Sequence, residues 1–194
     1  RGAGNLLGDE QSGHVAAVGF ELYCQLIDEA VAELAGRDET GAEREPVRFD
    51  IGVDAYLPAS YIPFEAAKID VHRRIAAARR SGDLRQITDE LTDRFGALPV
   101  EVENLLALQQ SRIDLGSIGA EQVQFRGGKL TVSGVELDSE MTARVREAIP
   151  GSLYEWRSHE LSVRVDNDPA SRLAIVSELG RTLADMGMLR QSQN

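Results

Sequence analysis

Between residues 14 and 36, apolar side chains at Val15, Val18, Leu22, Leu26, Ala30 and Leu34, joined by Phe20, Tyr23, Ile27 and Val31, recur with the helical period. The pattern predicts one long amphipathic helix whose broad apolar face needs a neighbour. Residues 37–45 are charged and contain Gly41, and Pro46 closes them, which marks a linker. Val47, Phe49, Ile51 and Val53 then alternate with polar residues or glycine and read as a strand. Three helices are expected next. The first spans about residues 64–80 after Pro63. The second takes Asp83 as N-cap and runs to Phe95, with Leu84, Ile87, Leu91 and Phe95 on one face and Gly96 as its stop. The third opens at Pro99 and turns Val102, Leu105, Leu106 and Ile113 inward.

The remainder alternates between period two and period 3.6. Val123 and Phe125 face Leu130 and Val132 across Gly127-Gly128, a pair able to supply the positive φ angles of a tight hairpin. Asp138 caps a short helix that Pro150-Gly151 ends, residues 153–165 form a second hairpin around Ser158-His159, and Asp168-Pro169 opens a terminal helix through Leu173, Val176, Leu179, Leu183 and Met186. The fold class is therefore α+β: a long N-terminal helix and linker, then a mixed domain ordered β-ααα-ββ-α-ββ-α. The units divide as residues 1–46 and 47–194.

Charge narrows the partners. The net charge is −11, with three Arg against ten carboxylates in residues 1–46 and eighteen basic against twenty-two acidic residues afterwards. Neither unit offers the clustered Lys and Arg on which phosphate contacts depend, so weak or no direct DNA binding is expected. Arg73-Arg74 with Arg79-Arg80 is a local basic patch, read as a solvated face near Asp70 and Asp83. Cys24 is a lone cysteine on the apolar stripe of the long helix and reads as a small buried hydrophobe. No apolar run approaches the length of a membrane span.

Candidate chemistry is sparse. His14, His72 and His159 fall in three different elements with no second ligand at metal spacing. The serines lie in no nucleophile elbow, and the pairs Glu101/Glu103 and Asp89/Asp93 read as helix-start and solvated-face residues, so no catalytic residue and no cofactor is assigned to this chain. Gly2, Gly4 and Gly8 give a spacing one residue too long for a dinucleotide loop, and no Lys-Ser/Thr pair follows. On the second helix Glu90 and Arg94 stand at i and i+4, a self-contained ion pair by spacing alone.

The opening run Arg1-Gly2-Ala3-Gly4-Asn5-Leu6-Leu7-Gly8-Asp9-Glu10-Gln11-Ser12-Gly13, with His14 to Tyr23 after it, resembles the translocation motif shared by the bacterial transcription-repair coupling factor and the RecG-type branch-migrating DNA helicase. The chain begins in mid-motif with no targeting signal, and is read as a C-terminal fragment of a longer cytoplasmic protein. Two further stretches, Val53-Asp54-Ala55-Tyr56-Leu57-Pro58-Ala59-Ser60-Tyr61-Ile62-Pro63 and Glu90-Leu91-Thr92-Asp93-Arg94-Phe95-Gly96-Ala97-Leu98-Pro99, followed by Val102-Glu103-Asn104-Leu105-Leu106, look like the C-terminal domain of the coupling factor. The resemblance runs to about residue 115. It implies that Arg1, Gly2, Gly4, Gly8, Gln11, Ser12 and Gly13 close a translocation motif, with Arg1 and Gln11 at its polar positions. It also implies a parent that uses ATP and magnesium to move on double-stranded DNA, displaces stalled RNA polymerase and recruits the repair protein UvrA. The C-terminal domain then clasps the parent's own N-terminal domain and masks the UvrA-binding surface, with Glu90 and Arg94 as the expected clasp. A RecG-type helicase end, which leaves the domain after Pro46 without an account, and a small enzyme of unknown chemistry are the alternatives.

Overall fold

The computed structural model describes residues 46–191, with side chains described as far as Gly187. The long helix, its linker and the translocation-motif glycines therefore lie outside the described residues, as do Arg1, Gln11, Ser12, Cys24 and His14. The elements run β1 (Arg48–Asp50), α1 (Glu65–Ala77), α2 (Ser81–Phe95), α3 (Val100–Ser117), β2 (Gln122–Arg126), β3 (Lys129–Ser133), α4 (Ser139–Ala148), β4 (Leu153–Glu155), β5 (Glu160–Arg164) and α5 (Pro169–Gln191). This is the expected mixed order.

The strands form one sheet ordered β1-β2-β3-β5-β4. β1 and β2 run parallel, joined through α1, α2 and α3, and every other pairing is antiparallel. The β2–β3 hairpin closes with Arg126 opposite Lys129, leaving Gly127 and Gly128 as its two turn residues at φ 58° and 76°. Two consecutive positive φ values are what a two-residue hairpin twisting with its strands requires. In the second hairpin, Glu155 pairs with Glu160 across four loop residues, and His159 takes the left-handed conformation at φ 52°.

Alternation along the strands separates two faces. Val123, Leu130, Val132, Leu161 and Val163 are buried, whereas Arg126, Lys129 and Arg164 on the opposite face are exposed. Helices cover the apolar face. α3 lies over β1, where Gly116 leaves a Cβ-sized space 3.6 Å from Val47, and Arg112 donates from Nε to the Val47 carbonyl (3.0 Å) and stacks over Phe49. α5 packs along α3, with Gly180 admitting Asp114 and Ser177 meeting Ser111 at 3.3 Å. Near its start, Arg172 is buried: Nη1 donates to the Ile51 carbonyl (2.6 Å) and the guanidinium stacks over Phe125 at 4.7 Å.

Local expectations hold at Asp138, whose carboxylate accepts from the Met141 amide, at Asp168, which accepts from Ser171, and at Gly96, which ends α2 with φ 88°. Others shift. β1 covers three residues because Gly52 turns the chain at φ 58°. The first helix stops at Ala77 because Ala78 adopts an extended ψ of 127°. Asp83 is not the N-cap of the second helix but its third residue, and its carboxylate reaches back to the amides of Arg79 (3.1 Å) and Arg80 (3.0 Å). Ile113 is half-buried, while Gln109 and Ser111 on α3 are buried.

Candidate functional site

Helices α1 and α2 meet with the turn that carries Tyr61. On α2, the i, i+4 spacing puts Glu90 beside Arg94, and the carboxylate Oε1 accepts from Arg94 Nη1 at 2.8 Å. The second carboxylate oxygen is taken from the neighbouring helix, where Arg74 Nη2 donates to Glu90 Oε2 at 2.5 Å. Arg74 also lies 4.0 Å from Asp70. Glu90 is thus the centre of an Arg–carboxylate–Arg bridge tying α1 to α2, and the self-contained pair expected from spacing has a third member. The basic patch read from the sequence divides accordingly: Arg74 is half-buried and paired, whereas Arg73, Arg79 and Arg80 are exposed.

The electrostatics follow from these contacts. Hydrogen bonds from Arg74 and then Arg94 pull the Glu90 carboxyl down to about 2, well below the usual carboxylate range. The same bond with Glu90 raises Arg74. At the C-terminal end of α2, the Arg94 guanidinium sits 5.0 Å from the centre of the Phe95 ring, and Tyr61 meets Phe95 at 5.7 Å between ring centres. The Tyr61 hydroxyl lies 3.1 Å from the carbonyls of both Leu91 and Gly96, placing its proton where it serves the last turn of the helix, and burial pushes its pKa up. The outcome is a braced helix end that presents one half-exposed guanidinium, that of Arg94, beside an aromatic ring.

A buried polar chain holds α1 in place for this bridge. Gln109 of α3 donates to the carbonyls of Ala76 (3.4 Å) and Ala78 (3.2 Å) at the end of α1, and accepts from Arg112 Nη1 at 3.0 Å. Periodicity gives no sign of this role, since Gln109 occupies a core position in a polar residue's guise. The only signal available was a glutamine on the inward stripe of a long helix.

Other candidates do not assemble. His72 lies on α1 and His159 in the β4–β5 turn, and among the described residues no three His, Cys, Asp or Glu side chains group as a metal site. Glu101 and Glu103 open α3, and Asp89 and Asp93 lie on α2. Among the described residues no helix is long and apolar enough to cross a membrane.

Comparison with known proteins places this arrangement. Residues 51–144 match the family model of the TRCF domain. The transcription-repair-coupling factor of Staphylococcus haemolyticus is 41% identical over 133 residues, covering 69% of this chain and 11% of that protein. That of Mycobacterium bovis is 38% identical over 175 residues, covering 85% of this chain and 14% of that protein. The chain thus spans roughly an eighth of the length of these relatives. Among solved structures, the crystal structure of the C-terminal domain of transcription-repair coupling factor aligns with a TM-score of 0.67 at 21% identity, over 74% of this chain and 95% of that one, a likeness of fold. The domain match and the relatives together show that the chain belongs to the transcription-repair coupling factor family.

Proposed function

We propose that residues 47–194 form a non-catalytic regulatory domain of an ATP-dependent DNA translocase that displaces stalled RNA polymerase at lesions and recruits nucleotide excision repair in the cytoplasm. In this reading the ATP, magnesium and duplex DNA belong to the motor of the longer protein, and residues 1–46 close its second motor domain, with Arg1, Gly2, Gly4, Gly8, Gln11, Ser12 and Gly13 in the translocation motif. The domain clasps the parent's N-terminal domain and masks the UvrA-binding surface until engagement of polymerase and translocation shift the population to an open state. A tethered domain meets its partner at high effective concentration, so a small polar contact keeps it docked and still lets it leave.

The observation that supports the clasp most is the braced end of α2. Glu90 is held by two arginines, so its own carboxylate is not the free contact group; it fixes Arg94, whose guanidinium is half-exposed over Phe95. A pre-ordered Arg on a rigid element loses little entropy on binding a partner carboxylate. The test is UvrA capture by the full-length protein. Arg94→Glu opens the clasp without removing the Arg74–Glu90 link and increases capture, and Glu90→Arg does so while also loosening the α1–α2 joint. Unchanged capture by the Arg94 variant rejects the assignment.

A further inference from the structure

We infer that the face of the sheet left open by the described helices carries a docking site for a short, extended acidic segment of a protein partner, centred on Arg126, Lys129 and Arg164. These residues belong to elements other than α1 and α2, so the inference does not rest on the clasp.

The register brings the three cations together. Arg126 is directly opposite Lys129, and Lys129 directly opposite Arg164, so one row across β2, β3 and β5 carries three positive charges on the face turned away from the helices. Like charges directly opposite on a sheet oppose folding, so the row is a local cost that the fold itself does not require. The compensation within the domain is slight. The closest ion pair is Arg126 Nη2 with Asp50 Oδ2 at 3.8 Å, between two largely exposed side chains, and Lys129 and Arg164 make no ion pair with a described residue. A partner carboxylate set between them relieves the repulsion and gains three charge-assisted donors.

Geometry decides what kind of anion fits. Adjacent strands are about 4.8 Å apart, so the row is about 10 Å wide, a span matched by carboxylates on alternate residues of an extended peptide, about 7 Å apart before their side chains flex. The same face turns acidic four residues along the strands, where Glu155 pairs with Glu160. A nucleic-acid backbone laid on the cations extends over these carboxylates and is repelled, whereas a short peptide stays within the basic row. Between the two charged rows lie Gln124, Thr131 and Ser162, in register; the Gln124 side-chain carbonyl accepts from Arg126 and holds that guanidinium on the face, while Thr131 and Ser162 are able to hydrogen-bond a peptide.

The experiment uses the whole 194-residue chain and a hexaglutamate peptide, followed by amide NMR, with a duplex DNA oligonucleotide as the second probe. The inference expects hexaglutamate to shift the amides of β2, β3 and β5, an effect that fades as salt rises, and expects Lys129→Glu to weaken binding about tenfold through a two-unit charge change in a screened row. Lys129→Glu places opposite charges in register, so its thermal midpoint holds or rises, which separates lost binding from lost fold. No shift with hexaglutamate, equal binding by Lys129→Glu, or tighter binding of the duplex at the same amides overturns the inference.

Discussion

Replacing Gln109 by Leu removes the polar link between α1, α3 and β1 while nearly conserving volume, so the expected cost is electrostatic and not a cavity. The side chain is 3% exposed. It donates to the Ala76 and Ala78 carbonyls at 3.4 and 3.2 Å and accepts from Arg112 at 3.0 Å. A buried group left without a partner costs about 1–3 kcal/mol, and both donated bonds are long, which argues for the lower half of that range per carbonyl. The half-buried Ala76 carbonyl keeps its bond from Arg79 Nη1 (3.1 Å), whereas the carbonyl of buried Ala78 loses its side-chain donor. Arg112 keeps its bond to Val47 and its stack on Phe49, so it loses one acceptor of several contacts. The net loss is about 1–2 kcal/mol, equivalent to a midpoint about 2–8 °C lower for a domain of this size. Urea titration and thermal melting of the two proteins measure it directly. A change below about 0.5 kcal/mol, the scale of an ordinary surface substitution, refutes the view that Gln109 caps α1.

Three further outcomes follow from the same structure. Glu90 has a depressed pKa of about 2 in the fold, from an ordinary 4.5, so the unfolded chain binds the extra proton between these values. Its stabilising contribution is complete above pH 4.5 and disappears as pH falls towards 2, so the stability difference between wild type and Glu90→Gln shrinks across that window; a difference independent of pH there contradicts the Arg74–Glu90–Arg94 bridge. Asp114 has a raised pKa through burial, only partly offset by the Gln110 bond, with Asp185 adding repulsion and Arg181 opposing it. The folded state therefore favours the protonated acid, the ionised form costs stability at neutral pH, and Asp114→Asn raises the thermal midpoint at pH 7 with a gain that fades in acid; a lower midpoint at pH 7 contradicts this. Tyr61→Phe takes a proton from the carbonyls at the end of α2 and lowers stability by about 0.5–1.5 kcal/mol in urea titration, the usual worth of one hydrogen bond; no loss means that solvent serves those carbonyls equally well.

The features legible in the sequence are those decided within a few residues. Gly127-Gly128 sets its hairpin, Asp138 and Asp168 cap their helices, and Gly96 ends α2, because each depends on one φ angle or one carboxylate near its own backbone. Asp83 shows the limit. Its composition signals an N-terminus correctly, but the amides it binds are those of Arg79 and Arg80, which are free only because α1 breaks off early. The half-burial of Ile113 and the burial of Ser111 likewise depend on how α5 lies along α3, where Ser177 and Gly180 meet that helix, and helical period cannot report which flank a distant segment will cover. At the candidate site, Glu90 and Arg94 were visible through their spacing. Arg74 was not, being sixteen residues away on another helix, and its arrival changes Glu90 from a contact group into a brace. The basic row on the open sheet face also needs the strand register, since Arg126 and Arg164 are brought beside Lys129 only by the order β2-β3-β5.

In the proposed function this domain works through contact surfaces, with the end of α2 as the principal one. Titrating the chain into the separately expressed N-terminal domain of a full-length coupling factor, by calorimetry at physiological salt, isolates that contact from the motor. Saturable one-to-one binding without ATP is expected, weakened about tenfold or more by Arg94→Glu, as for a partly desolvated charge contact reversed in sign. Absence of binding, or equal affinity for wild type and the folded Arg94→Glu chain, contradicts the proposed function.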